Sequence, residues 1–192
     1  MKKMIMFSLV MVMVIISCDK AIAYDEDKWS AGKYLVIGKM GYFMPADKSV
    51  KDVYGSGIGF SIGGGYVTDI DISIGGVLDY WKKSYTKNSV TYGLEIMSIS
   101  SNILAILPGH NKKGFVPYIG AGIGGYSAKM ETGSMIEKES SDLALGFHIL
   151  GGFDYSVLPK LSLNAEAKYA SAKTLDMKVG GLTIGGGLLY SF

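Results

Sequence analysis

From about residue 33 onward the chain is patterned with a period of two. Eight segments, near 33–45, 56–66, 70–82, 90–104, 115–128, 142–156, 160–171 and 178–192, set apolar positions against small or polar ones. Side chains leave opposite faces of a β-strand at this spacing, so each segment predicts a strand with two unlike faces. The segment at 160–171 sets Leu161, Leu163, Ala165, Ala167 and Tyr169 against Ser162, Asn164, Glu166 and Lys168. At 142–156, Leu143, Leu145, Phe147, Ile149, Phe153 and Tyr155 oppose Ala144, Gly146, His148, Leu150, Gly152 and Asp154. At 70–82, Ile70, Ile72, Ile74, Leu78 and Tyr80 oppose Asp71, Ser73, Gly75, Val77, Asp79 and Trp81. No helical period is read in this region, so the expected class is all-β.

The connectors alternate in length. Val67-Thr68-Asp69, the turn from Pro108-Gly109 to Gly114, and Leu158-Pro159-Lys160 are short, whereas 46–55, 83–89, 129–141 and 172–177 are mostly longer and more polar. An even number of strands joined in this way predicts a closed up-and-down meander, an eight-stranded antiparallel barrel with both chain ends on one side. Alternation alone does not say which face is inside, because a soluble ligand-binding barrel turns its apolar face inward. Aromatic residues decide for the membrane version. Tyr34, Tyr66, Tyr80, Tyr155, Tyr169, Tyr190 and Phe192 fall toward strand ends on the apolar face, as interfacial girdles do. The opposite face is rich in glycine and serine, which suits a narrow interior.

The amino terminus changes the picture of location. Lys2 and Lys3 precede an apolar run from Met4 to Ser17, and Ala21-Ile22-Ala23 stands before the acidic Tyr24-Asp25-Glu26-Asp27. This is the pattern of a secretory signal over residues 1–23, leaving a barrel domain at 24–192. A competing reading is cleavage before Cys18, where Ile15-Ile16-Ser17-Cys18 fits a lipoprotein box. Cys18 is the sole cysteine, so a chain starting at Tyr24 has neither disulfides nor a thiol nucleophile. Its formal charge falls from +2 to zero, and arginine is absent. Nucleic-acid binding therefore has no electrostatic support, and any anion must be met by lysine or backbone.

One stretch carries a family likeness. Val116-Pro117-Tyr118-Ile119-Gly120-Ala121-Gly122-Ile123-Gly124-Gly125-Tyr126 resembles the PYxGxGxG strand of the small outer-membrane β-barrels, the family of outer-membrane proteins A, X and W and their porin-like relatives. With the signal, the eight strands and the terminal Tyr190-Ser191-Phe192, the resemblance spans nearly the whole chain. It implies insertion among outer-membrane lipid and lipopolysaccharide, and reading of Tyr190 and Phe192 by the barrel-assembly machinery. The same stretch holds Gly120-x-Gly122-x-x-Gly125, formally a dinucleotide fingerprint, but no helix follows to receive a pyrophosphate. Glycine here more simply relieves crowding inside an eight-stranded barrel.

Candidate interior charges are Lys39, Glu95, Glu166 and Lys168, with His148 between them and Asp71 and Asp154 nearer the mouth at the chain ends. Buried charges must pair, so a Lys–Glu network plugging the lumen is expected, and a gate or narrow polar path is the functional alternative. Catalysis would need a base and a nucleophile together at outer-leaflet height. His148 sits mid-strand, and His110 falls in a turn beside Asn111, Lys112 and Lys113. No catalytic, cofactor or metal residues are therefore assigned. The long connectors carry Asp47, Lys48, Lys51 and Asp52; Lys82, Lys83 and Lys87; and Lys129, Glu131, Glu137, Lys138 and Glu139. These are solvated tips or contacts to lipopolysaccharide phosphates or a host surface. The expected role is that of a monomeric structural or surface-interaction protein of the cell envelope. A conduit for small or hydrophobic molecules is the alternative, and a lipid-modifying enzyme stands third.

Overall fold

A computed structural model describes residues 32–88, 90–107, 114–132, 137–140, 143–174 and 177–192. The signal region, Cys18, Tyr24 and His110 lie outside the described residues. The strands are β1 (Tyr34–Pro45), β2 (Gly57–Val67), β3 (Ile72–Lys87), β4 (Val90–Ile106) and β5 (Phe115–Thr132). They continue as β6 (Glu137–Ser140), β7 (Ala144–Leu158), β8 (Leu161–Thr174), β9 (Met177–Lys178) and β10 (Gly181–Ser191). Eight of these are long; β6 prolongs the hairpin from β5, and β9 pairs with the end of β8. Each long strand pairs antiparallel with the next, and β10 pairs with both β8 and β1, so the sheet closes on itself. Closure removes every long free edge.

Tyr34 and Phe192 lie at the same end, where the Phe192 amide donates to the Tyr34 carbonyl at 2.9 Å. The tight turn at 68–71 shares that end, with Asp71 at φ 56° and Thr68 Oγ1 donating to the Ile72 carbonyl. We call this the turn end and the other the loop end. The alternation places Ile62, Ile74, Ile123, Leu145, Ile149, Ile184 and Leu188 outward, each more than one-third exposed, while Ser98, Asn102, His148, Asn164 and Lys168 are buried. In water so continuous an apolar belt would be a liability; against hydrocarbon it is the stabilising surface. Aromatic pairs edge the belt at the turn end: Tyr34 with Tyr66, Phe115 with Phe153, and Tyr190 with Phe192, with ring centroids 5.1, 5.2 and 5.0 Å apart.

Three connectors depart from the sequence reading, and at 129–141 the ladder continues as β5 runs to Thr132 and β6 pairs back with it. The expected connector at 83–89 is largely strand, because β3 and β4 continue as a ladder to Lys87 and Val90. Tyr85 stacks on Tyr92 at 5.1 Å and Thr86 meets Thr91 at 3.1 Å, which extends the hairpin until Asn88 turns it at φ 50°. The first connector also holds a helix, α1 (Lys48–Tyr54), where no helical period was read. Asp47 caps it by accepting from the Ser49 amide at 2.8 Å, and Gly55 ends it at φ 69°. At seven residues it is too short for periodicity to reveal. Two side chains anchor it: Val50 is buried against the barrel interior, and Tyr54 packs on the same cluster and edge-on against Tyr85 at 5.7 Å.

Candidate functional site in the barrel interior

The interior is filled in three layers. At the turn end Leu35, Val67, Ile106, Val116 and Leu189 form one apolar cluster. At the loop end a larger one joins Phe43, Val50, Trp81, Leu94, Ile96, Tyr126, Ala128, Ala172 and Val179. Polar groups lie between.

Two ionic centres share strand β8. Lys39 Nζ on β1 donates to Glu166 Oε1 at 2.6 Å, and the Tyr118 hydroxyl donates to Glu166 Oε2 at 3.0 Å. Asn164 Nδ2 then donates to the Tyr118 oxygen and to Asp154 Oδ1, both at 2.8 Å. Two positions further along β8, Lys168 Nζ donates to Asp79 Oδ1 at 2.6 Å. Asp79 also accepts from Ser61 Oγ at 2.7 Å and Ser98 Oγ at 2.8 Å. Charge-assisted bonds of this length offset the cost of taking ammonium and carboxylate out of water.

His148 belongs to a third centre. Its Nε2 meets Asn102 Oδ1 at 2.7 Å and its Nδ1 meets the Tyr126 hydroxyl at 3.3 Å. With an amide oxygen as acceptor, Nε2 carries the proton and Nδ1 accepts from Tyr126, so a neutral ring satisfies both contacts. Gly122 makes room for it, since a Cβ there would press into the imidazole and the Ser101 carbonyl. Gly124 does the same beside Ser100. The glycines of the Pro117-Tyr118 strand are thus the space into which neighbouring interior side chains fit.

Lys39, Glu166, Lys168, His148 and Asp154 all face this interior, but they form separate centres. Glu95 requires a correction. It stands between the buried Leu94 and Ile96, so its side chain leaves the opposite, outer face. There it meets Lys82 at 3.5 Å, which also meets Glu131 at 3.4 Å, and Glu131 meets Lys129 at 3.6 Å. Asp71 sits exposed in its turn. Sequence reasoning missed Asp79, Tyr118 and Asn164 as network members. Asp79 was legible as a polar-face residue two positions from Trp81, whereas its pairing with Lys168, 89 positions away, was not.

Two small cavities interrupt the packing. One of about 50 Å³ is lined by Lys39, Ser73, Asn102, Asp154, Asn164 and Glu166 among others, and one of about 60 Å³ lies beneath Phe43, Trp81 and Tyr126. The family model for the outer membrane protein beta-barrel domain matches residues 8–192. The chain belongs to that family. This outer-membrane barrel is similar in structure to Neisserial surface protein A, with a TM-score of 0.66 at 20% identity, covering 84% of this chain and 98% of that one. It is also similar to OprG of Pseudomonas aeruginosa, with a TM-score of 0.65 at 13% identity over 86% and 99% of the two chains. A third similarity is to Ail, the attachment invasion locus protein of Yersinia pestis, with a TM-score of 0.55 at 18% identity over 84% and 99%. At these identities the likeness concerns the fold. No curated protein sequence matches. Family and fold together place the barrel in the bacterial outer membrane.

Proposed function

We propose that this barrel is a plugged, non-catalytic envelope protein that acts through the face it displays outside the cell. The observation that carries the proposal is the filling of the lumen by two apolar layers around a paired polar one, with small cavities of about 50 and 60 Å³ among the described residues. An eight-stranded barrel is about wide enough for its own side chains, and here they occupy it. The turn end faces the periplasm and the loop end faces outward, following a signal removed after Ala23. The exposed Tyr190 and Phe192 at the turn-end rim suit recognition by the assembly machinery. On the outward side, Lys48, Lys51, Lys82 and Lys83 stand on α1 and the β3 extension, where lysine can meet lipopolysaccharide phosphates or anionic host sugars. One structure of Ail is a complex with the heparin analogue sucrose octasulfate.

Planar-bilayer recording on the refolded protein tests the plug: no steady conductance is expected, and sizeable, stable channels would overturn it. The conduit reading keeps one supporting observation. The loop-end interior holds an apolar cluster of Phe43, Trp81, Ile96, Tyr126 and Val179 that Val50 of α1 joins, above the cavity's Asp79–Lys168 pair. Transfer of a small apolar solute across vesicles that hold the barrel, lost in Val50→Trp, would favour that reading.

A further inference from the structure

The turn-end cavity contains a polar atom that its surroundings leave unsatisfied. Asn164 is 6% exposed, and both protons of its amide nitrogen are committed, one to the Tyr118 oxygen and one to Asp154 Oδ1. A carboxylate only accepts, so this contact fixes which end of the amide is nitrogen. Oδ1 is left buried without a hydrogen-bond partner, on a residue that lines the cavity. An orphaned acceptor at such depth costs free energy unless something fills the space beside it.

The rest of the lining says what that occupant is. Among the described side chains around the cavity, Asp154 and Glu166 are carboxylates, Ser73 and Tyr118 bring hydroxyls, Asn102 brings an amide, and Lys39 is the one ammonium. The Lys39 ammonium is engaged by Glu166 at 2.6 Å. Apolar side chains such as Ile37, Val77 and Leu104 line the rest of the cavity. Oxygen ligands suit a hard cation, and two carboxylates beside one ammonium suit a single positive charge. The volume of about 50 Å³ admits a dehydrated alkali ion and excludes a bulky organic one. The apolar cluster of Leu35, Val67, Ile106, Val116 and Leu189 closes the cavity on the turn side, which retains a bound ion.

We infer that the turn-end cavity binds one small monovalent cation of the sodium class, with Asn164 Oδ1 as a ligand. The site belongs to the folded barrel and does not depend on the proposed surface role. A ligand of the folded state alone stabilises it by mass action, so a tenfold rise in ion concentration above the dissociation constant raises the folding equilibrium constant up to tenfold.

Urea titrations of the refolded chain in phosphatidylcholine vesicles test this at fixed ionic strength, with sodium chloride exchanged stepwise for tetramethylammonium chloride. The wild type should unfold at higher urea in sodium, with a midpoint that rises with the logarithm of its concentration. Asn164→Leu, similar in size but without the amide, should lose that dependence. Superimposable wild-type curves in the two salts would overturn the inference and leave water in the cavity. A sodium dependence that survives in Asn164→Leu would overturn it too, by placing the ion elsewhere. Should the variant fail to refold, the wild-type comparison decides alone.

Discussion

Two regions of this barrel obey opposite rules. At hydrocarbon depth the interior is polar, with Lys39, Glu166, Lys168 and Asp79, and the outside is apolar, with Ile62, Leu78, Ile123 and Leu188. Toward the loop end the faces exchange roles. Phe43, Trp81, Leu94 and Ile96 fill the interior, while Lys82, Glu95, Lys129 and Glu131 stand outside. The strands and their period of two are the same in both regions; only the medium outside has changed from lipid to water. Inward and outward therefore cannot be read from polarity without knowing the depth. Matching Lys–Glu pairs make the contrast measurable. Lys39–Glu166 is 2.6 Å long with side chains 10% and 9% exposed, whereas Lys82–Glu131 is 3.4 Å long with side chains 42% and 33% exposed.

The deepest break in that comparison is Glu166→Ala. It strands the Lys39 ammonium in the lumen and should destabilise the fold by about 3–5 kcal/mol in urea titrations. A loss no larger than that of a rim pair would mean that water reaches the site.

Next comes Ile62→Lys, which puts an ammonium on the lipid face midway along β2 and should cost about 2–4 kcal/mol. Lys82→Ile is the converse swap on the rim and should leave the urea midpoint nearly unchanged. If the two effects were equal, the reversal of faces with depth would be wrong.

Smaller still is Gly122→Val, which presses a branched side chain toward His148 and should cost about 1–3 kcal/mol. The same change at the exposed Gly38, where a Cβ meets open space, should be tolerated in the same assay.

The least effect on stability is expected at Asp47, outside the membrane. Its carboxylate accepts from the backbone N–H of Lys178 and from that of Ser49, and these contacts hold its pKa below the ordinary 3.8. A depressed carboxyl contributes docking of α1 above the unfolded pKa and loses it as pH falls through the lower, folded one. The Ser49 and Lys178 amide resonances should therefore titrate together with a midpoint below 3.8, and Asp47→Asn should abolish the titration. Separate midpoints for the two amides would show that Asp47 does not join the loops.

The sequence by itself determined the eight strands, the two faces of each at membrane depth, and the chain ends meeting at one rim. Those properties follow from side-chain direction, which alternates residue by residue and needs no distant partner. It also placed Glu166 and Lys168 on one face of one strand. Other features were decided only by closure and register. Lys39 meets Glu166 across 127 positions because β10 completes the ring between β1 and β8. Lys168 meets Asp79 across the lumen, a choice that no local pattern encodes. Glu95 points outward by the same alternation that turns Met97 and Ile103 out; that an outward charge is tolerated there was decided by how far β3 and β4 run before Asn88 turns them. Alternation is local and survives in one dimension; depth and opposition across a barrel exist only once the sheet has closed.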